Sequence, residues 1–206
     1  MGRYHIVTIE RQYGSGGRQV GEMLAAKWGV PLLDHKILQL TAENLDALPE
    51  RVAKLEESNT NSLLYSLIMA GQVINPNEIP LFPGEQVFQE QTRIITTAAN
   101  QGPCVIVGRA AGYILRDNPN VLRVFLYASK EDRLRRCMES YDLPKKEALE
   151  NMRRYDRNRA EFYRSVTDHN WDDREAYALM LNTSYLSLEA CVDLIDATAQ
   201  FKRTQN

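Results

Sequence analysis

Nine residues, Tyr13-Gly14-Ser15-Gly16-Gly17-Arg18-Gln19-Val20-Gly21, come shortly after the apolar run Ile6-Val7-Thr8-Ile9 and lead into a helical pattern over Glu22–Trp28. Glycines let successive backbone N–H groups converge on one anion, and the start of a helix adds a positive partial charge. The chemistry this spacing serves is phosphate binding, so the ligand it points to is a nucleotide. The familiar form of the turn ends in Gly-Lys-[Ser/Thr], with the lysine on the outer phosphates and the hydroxyl on magnesium. Here Gly17 stands at the lysine position, and Arg18 and Gln19 follow. Arg18 is the expected replacement, one position later and with a planar fork in place of a point charge. The alternative is a plain glycine turn with Arg18 solvated.

Three further segments carry the same kind of chemistry. Val105-Ile106-Val107-Gly108-Arg109 places an arginine just beyond an expected strand, at the edge where open parallel sheets bind ligands. Val124–Ala128 runs into a helix bearing Arg133, Arg135 and Arg136, and Arg153-Arg154-Tyr155-Asp156-Arg157-Asn158-Arg159 follows. The plainer reading of the first trio is one solvated helix face. Trp171 reads as a packing anchor, and Tyr155, Phe162 and Tyr163 as the buried stripe of a helix. His5 and His169 have no ligand-like spacing.

The elements that must position these residues follow from hydrophobic patterning. Apolar runs at Tyr4–Ile9, Cys104–Val107, Val121–Tyr127 and Tyr177–Leu181, with a weaker one at Val30–Leu33, alternate with helical stretches. That alternation predicts an α/β fold in three layers, a parallel sheet of about five strands with helices on both faces. Gly29 is expected to end the first helix, and a core helix is expected at about Glu85–Asn100. Residues 41–84 break the rhythm and read as an insert. It starts as a helical pattern (Leu45, Leu48, Val52, Leu55) and ends as loop (Asn75-Pro76-Asn77, Pro80, Pro83-Gly84), serving the acceptor side or an oligomer interface. Residues 129–164 read as an arginine-rich helical stretch, with Ser129 as N-cap and Asp132 completing a capping box.

The 206 residues, 44% of them hydrophobic, suit a single domain over 1–206. A net charge of -2 shows no basic bias, which argues against nucleic acid as partner. Cys104, Cys137 and Cys191 lie far apart with no C-x-x-C pair, against a disulfide framework or zinc site and in keeping with a reducing cytoplasm. No apolar run has the length of a membrane span, and the N-terminus lacks the core of a signal peptide, so a cytoplasmic location without membrane partner is expected.

On these residues the chain resembles the cytidylate kinase-like family, a divergent branch of the P-loop nucleoside-monophosphate kinases. The resemblance is carried by the glycine loop, Gly108-Arg109, Phe125–Arg136, Asp156-Arg157-Asn158-Arg159-Ala160 and Leu181-Asn182-Thr183-Ser184. Asn170-Trp171-Asp172-Asp173 and the Tyr-Gly-Ser-Gly-Gly-Arg form of the loop point to the divergent branch. The resemblance implies a P-loop NTPase fold and an ATP-dependent phosphotransferase using Mg2+ and a small acceptor, with nucleoside monophosphates such as CMP as candidates. It implies that Gly14, Ser15, Gly16, Gly17, Arg18 and Gln19 hold the phosphates and that Arg133 stacks on the ATP base. Asp34 would organise metal or acceptor, although as a residue it also suits a turn or cap. Lys36, Arg109 and Asp156 would contact the acceptor, Arg18 would anchor the phosphates, and Arg153, Arg157 and Arg159, on a helical lid over 129–164, would stabilise the transferred charge. Such cations around developing charge are most of what phosphoryl transfer asks of a protein. The chain departs from the family pattern at Gly17 (lysine), Ala110 (an acidic residue) and Met152 (the first lid arginine). These departures motivate the other reading, a nucleotide-binding regulatory or sensing module without efficient turnover.

Overall fold

The computed structural model describes residues 3–52 and 83–201. Strand β1 (Ile6–Arg11) is central, and Ile6, Val7 and Ile9 are buried because both of its faces are covered. It pairs in parallel with β3 (Cys104–Val107) on one side and β4 (Val121–Tyr127) on the other. Short β2 (Leu32–Leu33) and β5 (Leu179–Asn182) form the two edges, giving the order β2-β3-β1-β4-β5. Parallel neighbours need crossover connections, and helices supply them. Helix α1 (Gly17–Trp28) follows β1, and α2 (His35–Asn44) and α3 (Pro83–Gln101) lie between β2 and β3 in sequence. A single turn, α4 (Ala111–Ile114), leads to β4, and α5 (Lys130–Ser140) and α6 (Lys145–Thr167) lie between β4 and β5. Helix α7 (Leu188–Gln200) ends the fold.

Odd-numbered residues of β1 and β3 face one layer, where Val7, Ile9, Val105 and Val107 pack with Val20 and Leu24 of α1 and Val192 and Ile195 of α7. Even-numbered ones face the other, where Ile6 and Ile106 pack with Ile37 of α2 and Ile94 and Ile95 of α3. Each such side chain contributes about 1.5–3 kcal/mol by leaving water. Gly29 ends α1 in the left-handed conformation, as expected, its N–H reaching the carbonyls of Ala25 and Ala26.

Element bounds differ from the sequence reading where polar residues extend a strand. β1 runs on through Glu10 and Arg11 because the ladder to Phe125 and Leu126 of β4 continues there. β5 starts at Leu179 instead of Tyr177, whose hydroxyl turns aside to the Trp171 carbonyl at 2.6 Å. Ser129 caps α5 by accepting the Asp132 N–H at 3.1 Å. The second bond of the expected capping box is replaced. The Ser129 N–H goes to Ser184 Oγ at 2.8 Å, and the Asp132 carboxylate takes the Ser129 hydroxyl. The lid stretch is two helices, not one, broken at Tyr141–Pro144, where Asp142 is left-handed and Pro144 precedes α6.

Of the insert expected over 41–84, residues 41–44 continue α2, and Val52 is buried against Ala42 and Val87. Its portion 53–82, with Leu55 and the Asn75–Pro80 loop, lies outside the described residues. Among the described residues no helix is long and apolar enough to cross a membrane.

Candidate functional site

A cavity of about 350 Å³ opens at the carboxyl end of β1, at the point where the chain departs to opposite sides of the sheet. Open α/β sheets bind ligands there. It is lined by the glycine loop (Arg11, Gln12, Tyr13, Gly14, Gly16, Gly17, Arg18), by Asp34 and His35 at the start of α2, and by Tyr141, Tyr155 and Arg159 of the lid.

Gly14 and Gly16 take positive φ of 77° and 82°, which glycine adopts without steric cost. Gly16 caps α1 without any side chain, and the first turn carries no acidic residue. The opening N–H groups of that helix therefore meet no side-chain cap and are suited to an anion. Ser15 is fully buried, and its hydroxyl closes the loop on the Gln12 carbonyl at 2.8 Å. Gln19 lies outside the cavity wall, its Oε1 buried with no hydrogen-bond partner among the described residues.

Three arginines of the lid hold the loop by its carbonyl oxygens. Arg133 donates to Tyr13 at 3.2 Å, Arg136 to Gly14 at 2.6 Å and Arg159 to Arg11 at 2.9 Å. In a trans peptide the carbonyl and the following N–H point opposite ways, so pulling these oxygens toward the lid turns the amides that follow away from it. Arg133 also pairs with Asp156, whose other carboxylate oxygen accepts the Tyr13 N–H at 2.7 Å. The structure thus places Arg133 and Asp156 under the loop. The expected solvated face splits: Arg135 alone is exposed, paired with Asp132.

Asp34 immediately precedes α2, yet its carboxylate makes no capping bond. It faces Arg18 Nε at 3.5 Å, Arg109 Nη1 at 3.7 Å, Arg11 Nη2 at 3.8 Å and His35 Nε2 at 3.9 Å. One carboxylate among three guanidinium groups leaves the site strongly positive. Arg18, the expected replacement for the lysine, is 55% exposed and sits at the rim, held by Glu22 at 2.9 Å and His35 at 2.8 Å. Arg159 is half-buried beside Arg11, and desolvation and that neighbouring charge push its guanidinium down to about 9. Burial pushes the Tyr13 hydroxyl up to about 12; its ring stacks on Tyr155 at 4.8 Å. Tyr155 therefore belongs to the cavity wall and not to the buried stripe that Tyr163 and Phe162 form around Phe125 and Trp171.

Arg109 is aimed by an unusual turn: Gly108, Arg109 and Ala110 all have positive φ, of 80°, 58° and 53°. The turn is held by Glu10, buried in β1, which accepts the Ala110 N–H and the Trp171 indole N–H, each at 3.1 Å. Sequence reasoning missed Glu10 and Arg11, and it named Arg136 only within the trio whose plainer reading was a solvated helix face. Glu10 and Arg11 lie just past Ile9, where the expected strand ended, and only the spacing of Arg11 from the glycines offered a signal. Lys36 is not brought to the cavity; it lines a separate groove with Leu33, Leu40 and Arg93. Arg153 and Arg157 stand exposed on α6, outside the cavity wall.

The cradle of glycines, the uncapped helix start and the cation excess fit a nucleotide polyphosphate. Among the described residues no three His, Cys, Asp or Glu cluster as a metal site. Magnesium is commonly held by one or two carboxylates plus substrate phosphates, and Asp34 is the one carboxylate among the described residues lining this cavity.

A family model described as the cytidylate kinase-like family matches residues 6–185. Among solved structures, a protein of Eubacterium ventriosum is 24% identical with a TM-score of 0.70, over 94% of this chain and 97% of that one. A gluconokinase of Sinorhizobium meliloti is 16% identical with a TM-score of 0.53, over 96% and 92% of the two chains. A shikimate kinase of Bacteroides thetaiotaomicron is 16% identical with a TM-score of 0.52, over 94% and 96%. These likenesses show a P-loop kinase fold. No curated protein matches this chain.

Proposed function

The chain belongs to the cytidylate kinase-like family, and from that premise we propose that it transfers the γ-phosphoryl group of ATP to a small acceptor, nucleoside monophosphates such as CMP being the first candidates. The observation that carries this reading is the setting of Asp34, a single carboxylate facing three arginines beside an uncapped glycine-loop helix. The glycine loop holds the phosphates. Arg109, aimed by its left-handed turn, contacts the acceptor, and Arg159 stabilises the transferred charge. Arg153 and Arg157 reach that charge when the lid closes, which also excludes water. Mg2+ bound at Asp34 and the phosphates would supply charge neutralisation.

A coupled assay with ATP and Mg2+ across nucleoside monophosphates and small hydroxylated metabolites tests the proposal. A phosphorylated product is expected for at least one acceptor. One observation favours a second reading: neither a lysine nor a hydroxyl stands at the loop positions that usually carry them, Gly17 and Arg18. Tight nucleotide binding with no product from any acceptor would support the regulatory module instead.

A further inference from the structure

We propose that Arg11, on the strand side of the loop, takes the place of the missing lysine and grips the outer phosphates of the nucleotide. The inference rests on the nucleotide reading above. The general pattern is Gly-x-x-x-x-Gly-Lys-[Ser/Thr]. With its second glycine set on Gly16, the first falls on position 11 and the lysine on position 17. This chain carries Arg11 and Gly17, so glycine and cation have exchanged places.

The packing explains why the exchange is complete. A Cβ on Gly17 would lie 2.5 Å from the Arg11 Cβ and 2.7 Å from its Cγ. The Arg11 Cβ is fixed by the backbone of β1 and cannot swing away. Any residue but glycine at 17 is therefore excluded while Arg11 is present. Further out, the guanidinium lies where a Cβ on Gly108 would be, so a second glycine clears its path. The side chain lines the cavity and is 17% exposed. Its one ion-pair partner among the described residues is Asp34 at 3.8 Å, beyond hydrogen-bond distance. A guanidinium held like this, with donors in a fixed fork, suits a phosphate oxygen pair. Arg11 and the half-buried Arg159 alongside it repel each other, a repulsion that an entering anion relieves.

The test is calorimetric titration of ATP with Mg2+ into the wild type, Arg11→Met, Gly17→Lys, and the exchange variant Arg11→Gly/Gly17→Lys, with folding followed by circular dichroism. Arg11→Met keeps the stem against Gly17 and removes only the charge. It is expected to weaken ATP binding at least about tenfold, the loss of one charge-assisted contact. Gly17→Lys alone is expected to lose binding or folding, and the exchange variant to regain binding to within about fivefold of wild type. A merely structural role for Arg11 would not produce that rescue. Arg11→Met binding as tightly as wild type overturns the inference. So does a folded exchange variant no better than Arg11→Met. A wild type that binds no nucleoside triphosphate overturns the nucleotide reading itself, and this inference with it.

Discussion

At the scale of single residues, Asp34 separates function from scaffold most sharply. A residue that only capped α2 would bond its first-turn N–H groups, and this one does not. Its carboxylate instead balances part of the charge of Arg11, Arg18 and Arg109. Asp34→Asn is thus expected to lower phosphotransfer by about two orders of magnitude, the usual result of removing a charge-organising group. Affinity for metal-free nucleotide should hold or rise, because the site gains net positive charge; calorimetry with and without Mg2+ reads both. A fall in metal-free affinity would count against the electrostatic role given to Asp34. Glu10 shows the complementary case. It touches nothing in the cavity, yet it fixes the turn that aims Arg109 by accepting two buried N–H groups.

At the scale of elements, helices α5 and α6 are tied to the glycine loop by side-chain bonds. Asp156 on α6 bonds the Tyr13 N–H and the Arg133 side chain of α5, so one carboxylate joins three parts of the fold. Arg133 is largely buried, its side chain 12% exposed. Asp156→Asn would leave that cation without its counter-charge and is expected to cost about 1.5–3 kcal/mol in urea unfolding. An unchanged midpoint would show that the clamp adds nothing to stability. The helix pattern of α5 and α6 was legible in the sequence. Their division at Tyr141–Pro144 was legible only in part, since Asp142 and Pro144 are its only signals between two similar patterns. The second bond of the Ser129 cap was not legible, because its partner Ser184 stands 55 residues away.

At the scale of the whole molecule, a chain with a net charge of -2 concentrates cations at one sheet edge, a distribution that composition cannot report. The three cysteines are free and buried, and burial pushes the Cys104 thiol up to about 11. At pH 8 only about 0.1% of such a thiol is ionised, so iodoacetamide is expected to label no cysteine until the protein unfolds. Because the folded value is raised, Cys104 contributes stability that is intact below pH about 9 and is lost as pH climbs toward 11; thermal melts across that range read it. The sequence by itself determined what depends on neighbours along the chain: the strand and helix periods, the glycine turn, the helix stop at Gly29 and the wealth of arginine. Only the tertiary structure decided which arginines meet the loop and which meet solvent. Helical spacing assigns a side chain to a face, but its partner is chosen by contacts such as Arg159 to Arg11 and Tyr13 to Asp156, 148 and 143 residues apart. Those distances close only when the sheet stacks its carboxyl edge beneath the lid.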